Sequence, residues 1–314
     1  MLRFVLTRLG MAIPTLLIVA MTVFLLVRLI PGDPASLMLG DMASQSSLAA
    51  LRAQLGLDRP IPVQFVIWVG QIVRGDFGHS ISTGQPVLGL VIDRFETSAT
   101  IVVIGVFLAS VIAVPAGLIA AWRQNSAVDL LFVGTATVLL SIPSFWLGLL
   151  LLLLFGLKLQ WLPVVGYVSF STSPVMASIY LIMPVATLVL HESGVLVRMA
   201  RASALEVLRL DYVTHARAKG LSEGAVLRRH VFRNSFGPTW TLIGLVLGNL
   251  LAGIAVVETV FTIPGIGRLL VDSIFARDYP VIQGCMLFIA FVYVLINIVV
   301  DLFYPLFDPK VAQA

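Results

Sequence analysis

The stretch ATIVVIGVFLASVIAVPAGLIAA, residues 99–121, carries no charged side chain. About 20 consecutive apolar residues, rising 1.5 Å each as a helix, cross the ~30 Å hydrocarbon layer of a bilayer. In lipid every backbone N–H and C=O must find a partner inside the protein, which leaves helices and closed barrels as the only spanning structures. A barrel strand would alternate polar and apolar residues over about ten positions, and this run does not alternate. Five other stretches read the same way. The predicted spans are 5–27, 99–121, 130–157, 177–197, 239–260 and 284–304, and the expected fold class is an all-α membrane protein with six transmembrane helices.

Composition agrees where it bears on this reading. Charged residues make up 11% of the 314 positions and hydrophobic ones 59%, whereas soluble domains carry about 25% charged residues. Arg3 and Arg8 before the first apolar run suit a signal peptide, but the run is long and RLIPGDP after it lacks a small-residue cleavage pattern, so it is read as a retained span. The single cysteine, Cys285, excludes an internal disulfide framework or a cysteine-based metal cluster. The net charge of +4 does not point to nucleic acid. In a membrane protein the placement of Lys and Arg says more than their sum.

That placement is one-sided. Arg3 and Arg8 flank the first span, and Arg123 lies between the second and third. The loop 198–238 carries Arg198, Arg201, Arg209, Arg217, Lys219, Arg228, Arg229 and Arg233 against Glu206, Asp211 and Glu223. With six spans all of these fall on one face, which predicts a multi-pass inner-membrane protein with both termini cytoplasmic. The chain then divides into a tail and first span (1–30), an external loop (31–96) and a five-helix core (97–314) that contains the cytoplasmic loop 198–238. The external loop holds more acidic residues (Asp33, Asp41, Asp58, Asp76, Asp93, Glu96) than basic ones (Arg52, Arg59, Arg74, Arg94). Within it, SSLAALRAQLGL sets Leu48, Leu51 and Leu55 at helical spacing before Gly56. PIPVQFVIWVGQIVRG reads as a second amphipathic helix, opened by prolines and carrying Phe65 and Trp68. Both are expected to lie on the outer membrane surface.

The stretch DYVTHARAKGLSEGAVLRRHVFRN, residues 211–234, is the most polar part of the loop. Residues 212–219 contain no helix breaker and end at Gly220, a suitable C-terminal cap. Ser222 is placed to cap a second helix that begins at Glu223, an acidic residue suited to the positive end of the helix dipole. Val226, Leu227, His230, Val231 and Asn234 share one side of that helix, and Arg228, Arg229 and Arg233 project from another. Ala216 and Ala218 keep the first helix slim. From the residues alone two readings stay open: a rigid knob that fits a groove in a cytoplasmic protein, or a solvated basic loop that touches anionic lipid.

Several stretches together carry a resemblance: LIPGDP at 29–34, LGLDRPIPVQ at 55–64, RGDFGHS at 74–80, SIPSFWLG at 141–148, LQWLP at 159–163, RASALEVL at 201–208, DYVTHARAKGLS and RRHVFRNS in the polar loop, and VVETVFTIPGIGRLLVDSIFARDYPVIQ at 256–283. The chain resembles the first of the two permeases of dipeptide, oligopeptide and nickel ABC importers. The resemblance implies a type I importer permease that forms half of a translocation pathway. It pairs as a heterodimer with a second, similar permease, with two ATPase subunits holding ATP and Mg below, and an external substrate-binding protein above. No cofactor is implied for this chain and no nucleic acid partner. Docking to an ATPase would fall on Asp211, Tyr212, Thr214, His215, Ala216, Arg217, Lys219, Gly220, Leu221, Ser222, Arg228 and Arg229. The general importer loop has Glu-Ala-Ala four positions before its glycine. Here Thr214, His215 and Ala216 precede Gly220, so the role of that glutamate does not carry over. No G-x-x-x-x-G-K-[ST] phosphate loop occurs, so ATP hydrolysis is expected on separate chains and the chain itself is not expected to be an enzyme.

The implied cargo is a di- or oligopeptide, with a nickel chelate or a glutathione-like molecule as the alternative. A gradient-driven transporter ranks lower because acidic residues at mid-depth are sparse. An intramembrane metalloenzyme lacks its motif, since HESGV supplies no second histidine for H-E-x-x-H. Adjacent His191 and Glu192 point about 100° apart on a helix, which makes them a packed or pore-facing pair, and no metal site is expected. Ser141, Pro143, Ser144, Phe145 and Glu258 are candidates for lining the pathway. Ser141, Ser144, Asn249 and Asn297 are costly facing lipid and are expected to face a partner or an aqueous path. Asp129, Glu258 and Asp301 lie near predicted span ends, where capping or solvation accounts for them.

Overall fold

The structure is a computed structural model that describes residues 2–29, 44–54 and 58–307. Leu55, Gly56, Asp33, Asp41 and most of LIPGDP lie outside these residues. The helices are α1 (Leu2–Leu29), α2 (Gln45–Gln54), α3 (Ile61–Val73), α4 (Val87–Trp122), α5 (Ala127–Ser141), α6 (Ser144–Leu151), α7 (Pro174–Leu208), α8 (Asp211–Ala218), α9 (Glu223–Val226), α10 (Arg233–Gly253), α11 (Ala255–Val260), α12 (Ile266–Phe275) and α13 (Tyr279–Phe303). A π-helical stretch, Leu152–Lys158, extends α6, and another, Leu227–Phe232, joins α9 to α10 without a break.

Among the described residues five helical segments are long and apolar enough to cross a membrane, and the sixth predicted span is a bent pair. α5 and the α6 segment meet at 97°, at Ile142 and Pro143, where proline disfavours helix in the residue before it. The pair nonetheless carries the chain across. Asp129 at the start of α5 bonds Arg201 on α7. Further on, a Cβ at Gly194 would meet Ala136 O at 2.8 Å, and one at Gly148 would meet Thr187 Oγ1 at 3.5 Å. From Asp129 to Gly148 the α7 contact thus moves from residue 201 to 187, about 21 Å along the helix axis.

Other boundaries differ from the apolar runs. α4 begins at Val87 rather than residue 99, and α7 continues to Leu208 rather than 197. The predicted loop 198–238 is therefore largely helix: its first part is the end of α7, and its last part is the α9–α10 helix. Apolarity reports the hydrocarbon-facing length of a helix only. Backbone hydrogen bonding continues through charged residues such as Asp93, Arg94 and Arg201 once the helix has left the lipid.

The centre of the bundle is α4 against α7. A Cβ at Gly117 would lie 2.6 Å from Val197 O and 2.7 Å from the Ala200 Cβ, so glycine there lets the two backbones touch. Close packing of small residues is the main attraction between helices that have lipid on their other sides. α1 runs antiparallel to α13: Val27 packs with Tyr279 and Ile282, while Arg8 pairs with Asp301 at 3.2 Å. Trp240 on α10 donates to Val300 O at 3.1 Å, so the start of α10 lies at the Arg8–Asp301 end. α3 is only 13 residues long, too short to span. It leans on α1 through Phe24, Phe65 and Trp68, with ring centroids 5.4 to 6.2 Å apart.

Candidate functional site

The basic residues gather at the end of the bundle where α4 and α7 finish and α10 begins. α8 lies across this end. Its last turn closes on a left-handed residue, Gly220 at φ +82°. Gly220 N–H donates to Arg217 O at 2.9 Å and Leu221 N–H to Ala216 O at 3.3 Å, the paired closing bonds of a Schellman cap. The chain then turns directly into α9, and from there helix runs through the π stretch into α10. The predicted second short helix is thus the start of the fifth span.

Seven buried residues hold the knob: Ala121 from α4, Ala204 and Val207 from α7, Val213 and Ala216 from α8, Val226 from α9 and Val231 from the π stretch. At this end water is the alternative to packing, and each fully buried valine contributes about 1.5–3 kcal/mol. A polar clamp spans the Gly220 turn. Arg217 donates to Glu223 through Nε at 2.8 Å and Nη2 at 3.2 Å, and Trp122 Nε1 donates to the same carboxylate at 3.0 Å. The π stretch is the point where the basic segment meets the span.

Three of the residues predicted to dock turn inward instead. Ala216 is buried in the apolar cluster, Leu221 packs against it, and Arg217 is engaged with Glu223. Ala216 therefore thins an internal contact rather than an outer one. Ser222 occupies the N-cap position of α9, but its side chain makes no capping bond; Val226 N–H bonds the Ser222 carbonyl at 2.9 Å. Asp211, Tyr212, Thr214, His215, Lys219, Gly220, Ser222, Arg228 and Arg229 are exposed. The Tyr212 ring lies 6.4 Å from that of His230.

The pathway candidates separate. Ser141, Pro143 and Phe145 are exposed at the bend and Ser144 is partly so, with Ser141 Oγ donating to Thr137 O at 2.8 Å. Glu258 is fully buried and does not face an open path. Its carboxylate accepts from Ser98 Oγ and from Arg268 N–H, and Ser98 Oγ in turn accepts from Ile266 N–H at 2.8 Å. Glu258 thus satisfies the free N–H groups at the start of α12, and Gly265 has no room for a Cβ beside it. Glu192 is buried within α7, and His191 Nδ1 and Ser193 Oγ are buried without partners among the described residues. Among the described residues no group of His, Cys, Asp and Glu is placed to hold a metal.

Two polar constellations had no signal in the sequence. Asp129 and Arg201 form a bidentate ion pair, Nε–Oδ1 at 2.6 Å and Nη2–Oδ2 at 2.7 Å. At the opposite end Asp278, buried just before α13, accepts from Ser80 Oγ (2.5 Å), Ile81 N–H (3.1 Å), Ser82 N–H (3.1 Å) and Ser82 Oγ (2.8 Å). Burial alone raises its pKa; the hydrogen bonds from Ser80, Ser82 and Ile81 outweigh that and hold it below the ordinary value. This clasp ties RGDFGHS, at 74–80, to FARDYP, at 275–280.

Known proteins match along the whole chain. Residues 113–313 match the model of the family described as binding-protein-dependent transport system inner membrane component, and residues 1–103 match that of the corresponding N-terminal region. A putative peptide transport system permease protein of Brucella suis biovar 1 is 41% identical over 307 residues, 98% of each chain. The glutathione transport system permease protein GsiC of Salmonella typhimurium is 42% identical over 311 residues, 99% of each. Among solved structures, the inward-facing MetNI methionine ABC transporter aligns over 69% of this chain and 95% of its own, at 14% identity and a TM-score of 0.57, a likeness of fold. With both family models matched and this identity over its full length, the chain belongs to the binding-protein-dependent transport system inner membrane components, the permeases of ABC importers.

Proposed function

We propose that this permease forms half of the membrane pathway of an ATP-driven importer of short peptides, and that the knob of residues 211–234 is where an ATPase subunit presses on it. The observation that carries the docking role is the knob's construction. It is fixed to α4, α7 and α10 by a buried apolar cluster and the Arg217–Glu223–Trp122 clamp, while its outer face stays polar and exposed. A push on such a body tilts three spans together, which is what switching between inward and outward access requires. Two ATPase subunits carry the ATP and Mg, a second permease completes the pathway as a heterodimer, and an external binding protein delivers the cargo. The basic end, with both termini, faces the cytoplasm.

The peptide reading is supported by relatives named as peptide permeases. A glutathione-type cargo is a second reading, favoured by the equal identity to a glutathione permease; that molecule is itself a small carboxylate-bearing peptide. The test is reconstitution in proteoliposomes with the cognate second permease, ATPases and binding protein. Uptake of labelled dipeptide is expected only with ATP, unaffected by a proton uncoupler, and absent for this chain alone. Uncoupler-sensitive uptake, or uptake by the isolated chain, would overturn the proposal.

A further inference from the structure

Beside the knob, between α5, α7 and α10, lies a groove of about 660 Å³. Val133 and Leu140 line it from α5, Val195, Met199 and Ala202 from α7, and Leu242 from α10. Two arginines of α7 also line it, in different electrostatic states. Arg201 is held by Asp129 in the bidentate pair. Arg198 is exposed and has no hydrogen-bond or ion-pair partner among the described residues.

We infer that this groove is a cargo site of the permease, in which Arg198 receives the carboxylate of a short peptide and the apolar walls receive its side chains. The inference rests on the peptide reading above and assigns it a place and a contact. A guanidinium fork matches a carboxylate in two parallel hydrogen bonds. Walls of Val, Leu and Ala impose no hydrogen-bond pattern on a side chain, and the Met199 thioether adapts to different shapes, as a pathway for peptides of varied sequence requires. The volume falls within the ~300–1,000 Å³ of small-molecule sites. Because Asp129 neutralises Arg201, the groove retains a single unpaired positive charge, which favours one carboxylate.

The test uses the complete complex of both permeases and both ATPases in lipid nanodiscs, without the binding protein, which would select the peptide itself. Equilibrium dialysis with labelled dileucine and with its C-terminal amide reads the carboxylate contact. Wild type is expected to bind the free acid about tenfold more tightly than the amide, the scale of one charge-assisted contact. Arg198→Gln is expected to bring that ratio near one, and Arg198→Lys to restore part of it. Co-purification of the ATPases with each variant shows that the complex is assembled. An unchanged ratio in Arg198→Gln, or no saturable binding to wild type because the second permease covers the groove, overturns the inference. ATP-driven dileucine uptake by the full system with its binding protein, measured in parallel, separates the two claims. Uptake with an unchanged ratio removes this site alone, while absence of any peptide uptake removes the peptide reading and the site with it.

Discussion

The two ends of the bundle are fastened by different chemistry. At the basic end the knob is held by a dry cluster of valines and alanines, with one partly exposed ion pair across its turn. At the opposite end the hairpin of residues 78–86 is held by one buried carboxylate that gathers four donors from Ser80, Ile81 and Ser82. Apolar packing is distributed, so that no single side chain carries the joint. The carboxylate clasp is concentrated on one residue, since removing the shared acceptor leaves the Ile81 and Ser82 N–H groups without a partner. A distributed joint suits a part that transmits a push, and a concentrated one suits a part that must hold a fixed register.

The largest effect is therefore expected at Asp278. Asp278→Ala removes the acceptor of the partly buried Ile81 and Ser82 N–H groups, at about 1 kcal/mol for each hydrogen bond lost, so the hairpin should lose ~2 kcal/mol of local protection. Amide hydrogen exchange over residues 80–87 of the purified complex reads this directly. Unchanged exchange would break the comparison. The pH dependence has a definite sign. The folded pKa lies below the ordinary value, so the clasp's stabilisation is complete above the unfolded carboxylate pKa of about 3.9 and is lost as pH falls through the lower folded value. Protection in wild type should stay flat from pH 8 to pH 5 and collapse only below about pH 4, whereas Asp278→Asn should weaken it at every pH.

Gly220→Val sharpens the other side of the comparison. Nothing lies within 4 Å of a Cβ built there, so the cost is in the backbone, roughly 1–2 kcal/mol for a side chain at positive φ and more when β-branched. Membrane abundance should stay near normal because the spans are untouched, while ATPase recovery on co-purification and peptide uptake should both fall steeply. Gly220→Asn, which tolerates that conformation better, should keep more of both. Full recovery and full uptake in the valine variant would show that the turn does not set the knob's shape.

Local codes explain what was legible beforehand. Apolar run length announced the spans, the Lys and Arg bias marked the end that carries the knob, and a helix followed by glycine and a new helix start could be read from adjacent residues. Pro143 stands at the break in the third span, but proline alone does not set its 97° angle. What escaped was set by distance along the chain. Ser80 and Asp278 are 198 positions apart, and Arg201 and Asp129 are 72 apart. A charge bias treats Arg201 and Arg198 alike, and only the packing of α5 on α7 shows that one is neutralised. The inward turn of Ala216 was missed because alanine suits an outer contact and an inner one equally. Glu258 was open to two readings, pathway lining or helix capping, and its buried carboxylate serves the start of α12.

The smallest expected effect concerns Ser222. A side chain that caps a helix contributes about 1 kcal/mol, lost on substitution by alanine. Ser222 stands at the N-cap of α9, yet its hydroxyl makes no capping bond, because the turn is already closed by the Gly220 and Leu221 N–H bonds on one side and the Arg217–Glu223 pair across it. Ser126 at the start of α5 does cap, accepting from Asp129 N–H at 3.4 Å and donating to Arg123 O at 2.6 Å. Ser222→Ala should therefore change the thermal midpoint of the purified complex by less than the scatter between preparations. Ser126→Ala should lower it measurably, by the few degrees that about 0.5–1 kcal/mol produces in a domain of ordinary size. Equal losses in the two variants would mean that Ser222 caps after all, and that the knob depends on a side-chain bond beyond its packing.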